Sequence, residues 1–135
     1  MNHEILNPPS LARPSGFSYG ILSAEKSRLL FLAGQTASNA AGQIVAADDI
    51  VAQYERVLQN LQTVVEAAGG TMQDIVKMTI FVGDRDDYRA HLKDLGKIHR
   101  AYFGNHYPAT ALLEISSFFQ DDALIEIEGI AAIPV

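Results

Sequence analysis

The hydrophobic pattern changes period several times along the chain, and each change marks an element. Gly16 to Ser23 (GFSYGILS) and Ser27 to Gly34 (SRLLFLAG) are short apolar runs separated by Ala24, Glu25 and Lys26. They predict two strands joined by a tight turn. From Asp48 onward Val51, Tyr54, Leu58, Leu61, Val65 and Ala68 step by alternating threes and fours, the spacing of one helical face. Asp48 is the expected N-cap and Gly69-Gly70 the stop. Asp74 to Gly83 returns to a two-residue period, with Val76, Met78, Ile80 and Val82 on one face and Lys77 and Thr79 on the other. A second helix is expected over Arg85 to Phe103, where Tyr88, Leu92, Leu95, His99 and Tyr102 recur at helical spacing. Thr110 to Ser116 and Leu124 to Ile133 predict two closing strands around a polar turn at Gln120, Asp121 and Asp122. The order ββ, α, β, α, ββ is that of an α+β sandwich with helices on one sheet face. No repeat or linker interrupts it, so residues 1–135 are expected to form one domain.

Composition agrees with that reading and narrows the partners. A chain of 135 residues with 48% hydrophobic and 19% charged residues folds around a single core. The formal net charge of −6 opposes contact with a phosphate backbone, so no nucleic acid is expected as partner. The absence of cysteine removes disulfides, thiolate nucleophiles and cysteine metal sites together. Met1 to Ser10 lacks a basic segment followed by an apolar run, and no stretch reaches the roughly 18 apolar residues of a membrane span. No membrane association and a cytoplasmic location are the expectations.

Several residues offer chemistry. Gly16-Phe17-Ser18-Tyr19-Gly20 matches G-x-S-x-G, but a nucleophile elbow needs a strand before it and a helix after it, and Ile21-Leu22 read as strand. His3, His91, His99 and His106 show no ligand spacing, so no metal is expected. His99, on the apolar face of the second helix, reads first as a core or interface histidine. Glu126 and Glu128 emerge on one sheet face about 7 Å apart, with Glu114 of the preceding strand a candidate neighbour. Such carboxylates are either solvent-facing or desolvated, and a desolvated one has a raised pKa suited to proton transfer. Lys93, Lys97 and Arg100 form the densest basic cluster, read as a solvated helix face. Neither Gly-rich phosphate loop occurs.

Ala33-Gly34-Gln35, Gln53 to Asn60 followed by Ala67-Ala68-Gly69, Asp74 to Lys77 leading into Phe81-Val82, Tyr102-Phe103, Pro108-Ala109 and Glu126-Ile127-Glu128 appear in that order. As an ordered set they resemble the RidA/YjgF family of reactive-intermediate deaminases over nearly the whole chain. The resemblance implies a chorismate-mutase-like α+β fold, a mixed sheet packed on two helices, assembled as a homotrimer with clefts at the subunit interfaces. An exposed sheet face bearing Ile127, Ile130 and Ile133 is expected to be covered in that assembly. The resemblance further implies hydrolysis of 2-imino and 2-enamino acids to 2-oxo acids and ammonia without metal or organic cofactor.

Carried over by position, Glu126 resembles the catalytic glutamate that holds the attacking water, and Gly34 the backbone position at the pocket. The family's arginine directly after Pro-Ala is Thr110 here. A guanidinium grips a carboxylate with two parallel bonds and a hydroxyl does not. The pocket tyrosine is Phe17, the helical asparagine falls near Gly96 and the following tyrosine near His99; the Tyr102 to Pro108 segment is shorter, with one extra residue before Leu124. A re-lined cleft follows, with Phe17, Tyr19, Gly34, His99 and Thr110 as substrate-binding candidates and His106 as a cation when protonated. The expected function is an enamine or imine deaminase of altered substrate class; the alternative is a non-catalytic trimeric protein that binds a small metabolite.

Overall fold

The computed structural model describes residues 3–135. Its elements are β1 (Glu4–Leu6), β2 (Gly20–Leu22), β3 (Ser27–Gln35), α1 (Ile50–Ala67), a 3₁₀ turn (Met72–Asp74), β4 (Ile75–Val82), α2 (Arg85–Ala90), α3 (Leu92–Phe103), β5 (Ala109–Glu114) and β6 (Ile125–Pro134). A mixed four-stranded sheet runs β3-β6-β4-β5, with β6 antiparallel to both neighbours and β5 parallel to β4.

Two-residue alternation decides which side of this sheet is covered. Ile125, Ile127, Ala131 and Ile133 of β6 and Met78, Ile80 and Val82 of β4 are buried beneath the helices. They meet Tyr54, Val57, Leu58, Leu61 and Val65 of α1 and Leu95 and Phe103 of α3 in one core. All helices therefore lie on one sheet face, as the pattern predicts. The other face is open and apolar in places: Phe31 is 71% exposed, Leu29 59% and Leu113 46%. Ile127 and Ile133 are not part of that open face, since the odd-numbered β6 residues point into the core; only Ile130 of the expected trio lies outside it.

Four local expectations change. β2 and β3 do not pair with each other: β2 joins β1 in a separate two-stranded sheet and β3 takes β6 as its partner. The chain reverses there through Lys26, at φ +57°. The N-cap of α1 is Asp49, one residue later than expected, whose Oδ1 accepts from the Val51 and Ala52 N–H groups at 3.0 and 3.1 Å. The second helix is two, broken at His91, whose N–H bonds to the Tyr88 carbonyl and whose ring bonds to the Asp87 carbonyl at 2.8 Å. Glu114 stands two strands from Glu126, with β4 between, and accepts instead from the Arg85 N–H at 2.8 Å.

Candidate functional site

The sequence-predicted site residues fall into two groups on opposite faces of the sheet. The first surrounds a cleft of about 550 Å³ where α2 and α3 pass over β4 and β5. Phe17, Tyr54, Tyr88, His99, Tyr107 and Thr110 line it, over an apolar floor of Met78, Ile80 and Leu112. Thr110 sits here because β5 pairs in register with β4, placing it beside Met78 on the helix-covered face. A volume of this size suits a small organic molecule.

His99 is fixed on every side. Its ring stacks between Phe103, with centroids 4.5 Å apart, and Tyr107, 4.6 Å apart and nearly parallel. Nε2 donates to the His106 carbonyl at 2.9 Å. Burial pushes its pKa below the ordinary value of 6.5, reinforced by the charge of Arg100 and opposed by the bond to the carbonyl. The ring is thus the neutral tautomer with the proton on Nε2, leaving Nδ1 as an acceptor. The Thr110 hydroxyl donates to the Pro108 carbonyl at 2.8 Å, so it too presents lone pairs to the cleft. Burial raises the pKa of Tyr54 and of Tyr88, and the neighbouring phenols Tyr88 and Tyr107 add to the effect on Tyr54. Both phenols keep their protons.

The second group lies at the β3 side. Gly34 and Glu126 touch: the Glu126 carboxylate occupies the space that a Cβ on residue 34 would fill. A bulge between Leu32 and Gln35 brings the end of β3 over β6 at this point. The backbone beyond it is anchored by α1, with Asn60 Nδ2 donating to the Thr36 and Ser38 carbonyls at 3.3 and 3.0 Å and Arg56 Nε to Ser38 at 3.1 Å. Glu126 is in register with Phe81 and so lies on the sheet face opposite Thr110. In one copy of the chain these carboxylate and cleft residues do not meet.

Two candidates play other parts. The Tyr19 hydroxyl donates to the Ala12 carbonyl at 2.7 Å and its ring meets Phe17 edge-on at 5.2 Å, so it braces the segment that carries Phe17 and is not a lining residue. His106 Nε2 donates to the Ile75 carbonyl at 2.7 Å, and burial lowers its pKa. It therefore does not replace the missing cation; its ring faces a neighbouring hollow with Asn7, Arg13 and Asn105. Ser18 is buried, with its N–H on the Pro108 carbonyl at 3.2 Å, in a parallel bridge that rules out an elbow. Sequence reasoning missed the three phenols, because Tyr54 and Tyr88 share the helical period of the core and Tyr107 lies in a loop.

The chain matches the family model of endoribonuclease L-PSP over residues 12–133. It belongs to this family, the Rid/YjgF proteins. A RutC family protein of Pyrococcus horikoshii is 31% identical over 129 residues, covering 95% of this chain and 96% of that one. Among solved Rid/YjgF structures, a protein of the conserved Rid family from Yersinia pestis, itself of unknown function, is 34% identical, covers 98% of this chain and 100% of its own, and superposes with a TM-score of 0.85. A YjgF/YER057c/UK114 family member from Mycobacterium tuberculosis is 29% identical over 87% of both chains, with a TM-score of 0.63. Among the described residues of this Rid/YjgF chain, no helix is long and apolar enough to cross a membrane.

Proposed function

We propose that the chain forms a homotrimer whose interfacial clefts hydrolyse a reactive enamine or imine to a carbonyl compound and ammonia. One observation supports it above others. The Glu126 carboxylate lies against Gly34 on the edge strand β3, while the cleft at Thr110 lies by the opposite edge strand β5, which is bridged by Ser18 at Ala109. Packing the open sheet faces of neighbouring copies together, with the β3 side of one against the β5 side of the next, would cover the exposed Leu29 and Phe31 and bring the carboxylate of one copy to the cleft of the other.

In that arrangement the cleft would hold the substrate with its C–N bond toward Glu126. The carboxylate would take a proton from water as it attacks the imine carbon and return it to nitrogen to give the carbinolamine, then pass the carbinol hydroxyl proton to nitrogen as the C–N bond breaks and ammonia leaves. Thr110 offers no charge to a substrate carboxylate, so the substrate class differs from that of members with arginine at this position. A binding-only role is the second reading, favoured by that same absent clamp. Cleavage of RNA, which the family model's description suggests, is opposed by a formal net charge of −6 per chain.

The test releases carboxylate-free imines from a panel of primary amines with a flavin amine oxidase, sets beside them the 2-imino acids that an amino-acid oxidase releases, and traps what survives with semicarbazide. The natural chain is expected to accelerate loss of the carboxylate-free imines and not of the 2-imino acids, and Glu126→Ala to abolish the acceleration. Activity that appears only in Thr110→Arg would instead favour the binding-only reading.

A further inference from the structure

Taking the cleft at Thr110 as the ligand site, as above, we infer that it selects a neutral, planar, apolar molecule bearing an N–H or O–H donor, and rejects carboxylates. None of the described residues lining the cleft carries a formal charge once His99 is neutral. A carboxylate entering it would lose its hydration with no cation to replace it, which apolar surroundings penalise heavily.

The polar groups that are present have a definite sense. Thr110 Oγ1 has its proton on the Pro108 carbonyl and His99 has its proton on the His106 carbonyl, so Oγ1 and Nδ1 can only accept from a ligand. An arginine at position 110 would present donors; the threonine reverses that polarity. His99 Nδ1 and the hydroxyls of Tyr54, Tyr88 and Tyr107 form no hydrogen bond within the described chain. No buried polar side-chain atom is left without a partner there, so these atoms are open to the cleft rather than sealed in the core. The phenols adapt as donors or acceptors, whereas Oγ1 and Nδ1 are fixed, so a ligand with a donor edge satisfies more of the wall than one without.

Ring-shaped surfaces supply the rest. Phe17 and the three tyrosines line the cleft over Met78, Ile80 and Leu112, and His99, stacked between Phe103 and Tyr107, adds its edge. Such a slot favours flat, apolar ligands through burial and offset or edge-on stacking. The Arg100 guanidinium lies over Gly96 outside the lining, and its contribution is separable by mutation.

The test measures binding of three probes to the native assembly by calorimetry, with amide chemical shifts to locate the site. Indole is neutral with an N–H donor, 1-methylindole lacks the donor, and indole-3-carboxylate carries the anion. Indole is expected to bind at least ten-fold more tightly than indole-3-carboxylate and several-fold more tightly than 1-methylindole, with shifts around Thr110 and His99. Thr110→Val should narrow the gap between indole and 1-methylindole, and Thr110→Arg should turn the preference toward the carboxylate. Equal binding of indole and 1-methylindole overturns the donor requirement. Preference for the carboxylate overturns the inference while leaving the cleft as the ligand site, and loss of that preference in Arg100→Ala would show that Arg100 of α3 supplies the clamp in place of residue 110. If no probe shifts the cleft residues at millimolar concentration, the reading of the cleft as a ligand site fails together with the inference.

Discussion

Gln53 is fully buried, and its amide joins three pieces of chain: Nε2 donates to the Ala46 carbonyl at 3.1 Å and the Asp122 carbonyl at 2.9 Å, while Oε1 accepts from Leu124 N–H at 2.8 Å. Gln53→Leu leaves all three backbone groups without their partner, and denaturant melts should show a loss of about 2–4 kcal/mol. His99 and His106 make a pH-dependent contribution at the same scale. Burial holds both below the ordinary 6.5, so on acidification the unfolded chain takes up protons first. Their contribution to stability is complete above about pH 6.5 and is lost as pH falls below it. The Tm is expected to drop between about pH 7.5 and 5.5, and the drop to shrink in the His99→Gln/His106→Gln double variant. Thr110 was legible as a departure in the sequence because Pro108-Ala109 precedes it; the direction of its hydroxyl proton was not, since that depends on a carbonyl two residues back in a folded turn.

At the scale of elements, two glycines in paired strands respond differently to the same added methyl group. A Cβ at Gly34 meets the end of the flexible Glu126 side chain, with Cδ at 3.1 Å. Gly34→Ala is therefore expected to fold with a Tm close to that of the natural chain, while Glu126-dependent imine hydrolysis falls at least ten-fold. A Cβ at Gly129 meets the Lys77 carbonyl oxygen at 2.5 Å, and backbone in the middle of a sheet cannot yield. Gly129→Ala should cost about 2–4 kcal/mol in a denaturant melt as β4 and β6 are forced apart. Helical periodicity located α1 and the paired α2 and α3, but not the break at His91, because a tightened turn preserves the apolar stripe on either side of it. The pairing of β2 with β1 was equally hidden: β1 is three residues long, too short for alternation to register.

At the scale of the molecule, the sheet ends in the edge strands β3 and β5, the latter bridged by Ser18 at Ala109, and leaves one face partly apolar. Phe31 lies in register with Ile130 on that face, and Ile130 in turn with Lys77 of β4. Sedimentation of the natural chain is expected to give three times 14.7 kDa, and Phe31→Glu to give a single 14.7 kDa species, since a charge there would be desolvated on assembly. A lone 14.7 kDa species for the natural chain would remove the interfacial cleft and with it the proposed hydrolysis.

Alternation and helical spacing by themselves determined the α+β class, the principal strands and helices and the apolar face of most of them, because those patterns are local consequences of backbone geometry. The ordered motifs identified Glu126, Gly34 and Thr110 by position. Only the tertiary structure decided that Ile127 and Ile133 face the core, that Glu126 and Thr110 stand on opposite sheet faces, and that Tyr54, Tyr88 and Tyr107 open onto a common cleft. A period records which side of its own element a residue occupies. What lies opposite is fixed by strand order and register, and these come from pairings between residues as distant in sequence as Phe31 and Ile130.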